Sequence, residues 1–182
     1  MNSVEIILKE LNTLAMNISD DEINRMVGFL KDKSRIFFAG AGRSGCIVRA
    51  FANRMMHLGF TCFVVGDITC QPIKEGDVLF IISGSGKTSS LVTMANKAKE
   101  LNASVVTITL NKEGTISKLS KQAIILPGNT RLSNDSGFES IQPIGSTFEQ
   151  LAWITCDGLI CQLREELGQS NEDLIQHHAN LE

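Results

Sequence analysis

At 182 residues the chain is long enough for one substantial core and too short for two full domains with a linker. A net charge of −3, from 17 Lys and Arg against 20 Asp and Glu, excludes the broad positive footprint of a nucleic-acid binder, so an anionic ligand has to be gripped locally. The most apolar stretch, Leu151 to Leu163, is broken by Asp157 and falls short of the roughly 20 apolar residues of a membrane span, and residues 1–17 lack a secretory pattern, so the expected compartment is the cytoplasm.

In chain order, a helix is expected over Val4 to Met16, where Val4, Ile7, Leu8, Leu11, Leu14 and Ala15 recur at spacings of three and four. A second follows, capped by Asp20 or Asp21. Arg35 to Ala39 is a short strand-like run ending in Gly40-Ala41-Gly42, and an amphipathic stretch from Ser44 to Leu58 comes next. Thr61 to Val65, Val78 to Ile82, Ser104 to Thr109 and Ala123 to Leu126 repeat the apolar or β-branched pattern, with helical stretches after the third and fourth strands. Five near-continuous apolar strands need helices on both faces, and right-handed crossovers make a doubly wound α/β sheet of parallel strands the expected fold. Ligands in such sheets bind beyond the carboxyl ends of the strands. Residues 128–143 form a polar loop with glycine and proline, a candidate lid, and Ser146 to Leu167 is a last long helix apolar enough to lie against another subunit. Cys46, Cys62, Cys70, Cys156 and Cys161 contain no C-x-x-C pair and are expected as buried, reduced thiols.

Two glycine-containing turns carry the chemistry. Gly40-Ala41-Gly42-Arg43-Ser44-Gly45 matches G-x-G-x-x-G between a strand and a helix, with Asp67 about 22 residues on, the spacing of a dinucleotide fingerprint. The same glycines also serve plain strand-to-helix packing or any phosphate. Ser44 offers a hydroxyl to cap the helix or meet a ligand, and Arg43 offers a cation to an anion. The second turn, Ser83-Gly84-Ser85-Gly86-Lys87-Thr88-Ser89-Ser90, places five hydroxyls and two glycines in eight residues at a helix start. Hydroxyls and backbone N–H groups there form a neutral cradle for a phosphate dianion. A Walker motif needs glycine where Ile81 stands, so a nucleoside triphosphate site is excluded.

Ser83, Ser85 and Thr88, in the pattern strand, S-x-S-x-x-[ST], helix, resemble the phosphosugar loop of the SIS (sugar isomerase) domain family. Gly40 to Gly45, Phe51 to Phe60, Gln142 to Glu149 and the terminal His178-Ala179-Asn180-Leu181-Glu182 extend the likeness over nearly the whole chain, toward the 6-phospho-3-hexuloisomerases of that family. The resemblance implies a single flavodoxin-like, SIS-type domain over 1–182, with N-terminal helices over 3–32 and C-terminal helices over 146–178 packing on the core and on partner subunits. It further implies interconversion of 3-hexulose 6-phosphate and fructose 6-phosphate in the ribulose monophosphate route of formaldehyde fixation, without metal or organic cofactor, by a homodimer or homotetramer. One departure stands out: where the family loop reads S-G-S-G-E-T, this chain has Lys87.

An enediol isomerisation needs a base to take a proton from one carbon and return it to its neighbour. Taken alone, Glu149 reads as a first-turn glutamate; the resemblance assigns it as the proton acceptor. For a second catalytic group the resemblance points to His178, acting across a subunit boundary, with His57 as the rival on an apolar helix where it is expected to cap or pack. Ser44, Ser83, Gly84, Ser85, Gly86, Lys87 and Thr88 are the expected phosphosugar ligands. The competing classes are a phosphosugar-binding sensor without turnover, an isomerase of another phosphosugar, and a nicotinamide-dependent oxidoreductase.

Overall fold

The computed structural model describes residues 1–128, 139–143 and 145–181. The expected lid falls mainly on 129–138, outside the described residues. Helices α1 (Ser3–Ala15) and α2 (Asp20–Leu30) precede β1 (Arg35–Gly40) and α3 (Arg43–His57). Then come β2 (Thr61–Val64), β3 (Val78–Ile82), α4 (Ser89–Glu100), β4 (Ser104–Thr109), α5 (Thr115–Leu119), β5 (Gln122–Ile125), α6 (Ser146–Glu166) and α7 (Asn171–Gln176). The five strands pair in parallel in the order β2-β1-β3-β4-β5, the flavodoxin-like doubly wound arrangement.

Strand alternation divides the core into two layers. Ile36, Phe38, Phe80, Ile82, Val106 and Ile108 face the apolar sides of α1, α2, α3 and α6. Phe37, Ala39, Leu79, Ile81 and Val105 face α4 and α5. The first layer is the thicker, and Phe51 of α3 meets Phe38 edge-on at 5.6 Å and lies 5.0 Å from Phe80, which fixes α3 over β1 and β3. On the second face no helix follows β2. There Arg35 spreads over the rings of Phe37 and Phe63 and is held by Asp77 (3.3 Å) and the Pro72 carbonyl (3.0 Å).

Two expectations are corrected. Asp20 and Asp21 are first-turn residues of α2, and the cap is Ser19, whose hydroxyl accepts from the Glu22 amide. Of the five cysteines, all with free thiols, Cys156 is buried, Cys62 and Cys70 are half-buried, and Cys46 and Cys161 are exposed. The apolar runs around Cys46 and Cys161 are helical, and a helix turns part of any apolar run outward. Among the described residues, no helix is long and apolar enough to cross a membrane.

Candidate functional site

The serine-rich turn leaves the carboxyl end of β3 and is lashed to its neighbours through its carbonyl oxygens. The Gly84 carbonyl accepts from the Leu110 amide and the Thr109 hydroxyl, both at 3.2 Å. That of Ser85 accepts from the Asn111 side-chain amide at 3.1 Å, and that of Gly86 from the Ile116 amide at 3.0 Å. Gly86 sits at φ +62°, where a side chain would be strained, and its α-carbon packs 3.1 Å from where a Cβ on Gly114 would stand. Within the turn the Gly86 amide donates to the Ser83 carbonyl and the Lys87 amide to the Ser85 hydroxyl, both at 3.2 Å, while the Ser83 amide donates to the Ile108 carbonyl of β4 at 3.1 Å. Thr88 is the N-cap residue of α4 but makes no side-chain cap bond, so the expected cradle is not consumed by helix capping.

The first turn carries two distinct glycine roles. A Cβ on Gly40 would stand 2.8 Å from the Ser44 carbonyl oxygen and 2.9 Å from Val48 Cγ2, so Gly40 lets β1 and α3 approach. Gly42 adopts φ 58°, ψ −133°, the backbone that launches α3. Ser44 does not cap α3, whose N-cap Gly42 has no side-chain bond, which leaves the ligand role for its hydroxyl. The dinucleotide reading has no support here: the Asp67 carboxylate is taken by Arg49 at 2.8 Å, and the strand order is not that of a nicotinamide-binding sheet.

The two turns and the start of α6 enclose a cavity of about 630 Å³, lined by Arg43, Ser44, Ser83, Ser85, Thr88 and Glu149 among others. Gly84 also lines it and touches α6, since a Cβ there would lie 3.1 Å from the Phe148 ring. Gly86 and Lys87 are not among the lining residues; Gly86 is buried beneath the turn and Lys87 is exposed. The Glu149 side chain is 17 % exposed and in contact, through Oε2, with Nε of Arg43. Sequence reading offered Arg43 as a cation for an anion at the first turn but did not pair it with Glu149, and it missed Thr109 and Asn111 altogether. Asn111 has a legible sign, a turn-forming residue just past a central strand, where neighbouring strand ends meet in a doubly wound sheet.

His178 lies elsewhere. Its ring stacks on that of buried His57 at 4.8 Å and 23°, in a recess of about 300 Å³ also lined by Arg54, Trp153 and Asp157. Asp157 is eight residues beyond Glu149 on α6, about 12 Å of helix. Within one chain the structure therefore does not bring His178 to Glu149, and the rival His57 packs, as its apolar helix predicts.

The approach to α6 is anchored from α1. Glu10 accepts from the Ser140 hydroxyl at 2.7 Å, the Ile141 amide at 3.0 Å and the Gln142 side-chain amide at 3.0 Å. Desolvation pushes the Glu10 carboxyl up, but the bonds from Gln142, Ser140 and Ile141 outweigh it and hold the group below its ordinary value. A depressed carboxyl contributes stability that is present above the unfolded pKa of about 4.3 and is lost as pH falls through the folded value. Amide exchange at Ile141, corrected for the intrinsic rate, is accordingly expected to be slow at neutral pH and to lose its protection as pH falls through that lowered value. In Glu10→Gln the protection should be weak at every pH; undiminished protection in that variant would show that Glu10 is not the anchor.

Comparison with known proteins agrees with this architecture. The model of the SIS domain matches residues 29–153. The 3-hexulose-6-phosphate isomerase of Bacillus subtilis (strain 168) is 42% identical over 176 residues, 97% of this chain and 95% of that protein. The protein of the same name from Mycobacterium gastri is 33% identical, covering 100% of this chain and 90% of the relative. A crystal structure from Methanococcus jannaschii, of a hypothetical protein with an inferred molecular function of 3-hexulose-6-phosphate isomerase, superposes with a TM-score of 0.82 at 31% identity over 100% of both chains. The serine-turn cradle, the strand order and these similarities converge: the chain belongs to the SIS domain family.

Proposed function

We propose that this chain is a cytoplasmic sugar-phosphate isomerase of the 6-phospho-3-hexuloisomerase kind, interconverting 3-hexulose 6-phosphate and fructose 6-phosphate. The observation that carries the reading is the shared cavity: a hydroxyl-lined phosphate cradle and a shielded carboxylate open onto the same 630 Å³ space. Full-length relatives named for this reaction support the choice of substrate. The phosphate sits on Ser83, Ser85, Thr88 and Ser44, with the α4 dipole behind it. Lys87 is exposed, so the departure from the family loop alters the rim rather than the cradle.

Glu149 takes the proton from C2 of the 3-ketose; the C–H electron pair forms the C2=C3 double bond and the carbonyl pair moves onto O3. Return of the proton to C3, with transfer of the O2 hydroxyl proton to O3, leaves the carbonyl at C2. No atom is gained or lost. His178, placed about two turns of α6 from Glu149, serves a partner subunit's cavity rather than its own in this reading. A homodimer or homotetramer is the corresponding assembly, with Val4 and Leu8 of α1 and Trp153 and Ile154 of α6 exposed for it. One domain over 1–182 then presents its terminal helices both to its core and to its neighbours.

The test is to incubate the protein with fructose 6-phosphate in heavy water and follow C3 by NMR. Deuterium at C3 is the expected result. Binding without exchange would leave a phosphosugar-binding module, and exchange at C1 alone would indicate an isomerase that converts fructose 6-phosphate to an aldose phosphate.

A further inference from the structure

We propose that Arg43 is a second catalytic group of this cavity, holding Glu149 with the Nε edge of its guanidinium and the enediolate oxygen with its terminal N–H groups. The inference rests on the isomerase reading and adds to it the group that carries the negative charge of the intermediate. Among the described residues lining the cavity, Arg43 is the one cation and Glu149 the one carboxylate. They are in contact, 106 residues apart in sequence. The contact uses Nε, and the two terminal nitrogens carry four more donor hydrogens.

Geometry then limits where those donors act. The carbon that loses its hydrogen, C2, is bonded to the carbonyl carbon C3, so a base acting at C2 and a donor acting at O3 have to stand side by side, as Glu149 and Arg43 do. The serine turn cannot do this while it grips the phosphate, because C3 and the phosphate-bearing C6 are three carbons apart. Arg43 is also suited to both states of the protein. Its side chain is 68 % exposed while that of Glu149 is 17 % exposed, so the guanidinium lies at the cavity mouth and the carboxylate inside. Arg43 also borders a second recess, of about 490 Å³, lined by Cys46, Gln150 and Trp153, which gives its long side chain room to adjust when a sugar enters.

Electrostatic stabilisation by a fixed cation is strongest where charge appears only in the transition state. Arginine stays protonated throughout, so it holds the oxyanion without surrendering a proton, and the O2-to-O3 proton transfer belongs to another group. Loss of Arg43 should therefore depress the chemical step and spare ground-state binding.

The experiment compares Arg43→Gln and Arg43→Lys with wild-type protein, measuring kcat and KM on 3-hexulose 6-phosphate, C3 exchange in heavy water, and the melting temperature. In Arg43→Gln, kcat and the exchange rate should fall together by about 100-fold with KM changed less than about threefold, and added guanidinium ion should restore part of the rate. Arg43→Lys, which keeps the charge and loses the fork, should fall between, and it carries the test if Arg43→Gln does not fold. A raised KM at unchanged kcat, or full activity in either variant, would overturn the proposal and leave the isomerase reading standing. Wild-type protein with neither turnover nor exchange would take down both.

Discussion

Glu149→Gln is expected to lower turnover of 3-hexulose 6-phosphate by about 10³-fold while fructose 6-phosphate binding, measured by calorimetry, changes little. Glutamine has nearly the same volume and keeps a side-chain oxygen for the Arg43 contact, so the cavity should hold its shape. The phosphate cradle belongs to β3 and α4 and does not depend on the charge at Glu149. What disappears is the basic oxygen that removes a carbon-bound proton. Turnover within about tenfold of wild type would exclude Glu149 as the base, whereas loss of binding as well would place it in substrate recognition.

Gly40→Ala should have the largest effect on the fold, with a loss of about 2–3 kcal/mol in urea unfolding. The added Cβ would stand 2.8 Å from the Ser44 carbonyl oxygen and 2.9 Å from its carbonyl carbon, and these are backbone atoms that yield only if α3 shifts. Its third neighbour, Val48 Cγ2 at 2.9 Å, is a side chain that can be cut back. Adding Val48→Ala should thus relieve little of the loss, since the main-chain clash persists. Because α3 begins with Arg43 and Ser44, activity should fall further than stability alone requires. An alanine tolerated within about 0.5 kcal/mol would mean that β1 and α3 separate easily, and the turn would then be less rigid than its packing indicates.

Much of the scaffold was legible in the chain itself. Val78–Ile82 and Ser104–Thr109 stand in the structure with the bounds read from sequence, because a central parallel strand is covered on both faces and its apolar run stops where cover stops. The phosphate turn was legible for a local reason too, the density of hydroxyls in eight residues. What composition could not reveal depended on distant residues meeting. Nothing near Arg43 announces Glu149, and nothing near Gly84 announces the Phe148 ring against it. His178 shows the same limit from the other side: its motif was visible, but the tail's course, which sets it on His57 rather than beside Glu149, follows from tertiary packing. Cap identity failed on a smaller scale, since Ser19, Asp20 and Asp21 are all good caps and only the entry angle of the chain selects among them.

The bonds that fasten the carbonyls of Gly84, Ser85 and Gly86 to β4 and α5 bear on the energetics of capture. A receptor already frozen in its holding shape loses little conformational entropy when an anion arrives, so more of the contact energy survives as affinity. Since the turn attracts through dipoles rather than a cluster of lysines, that affinity should also resist Debye screening better than a basic patch of equal strength.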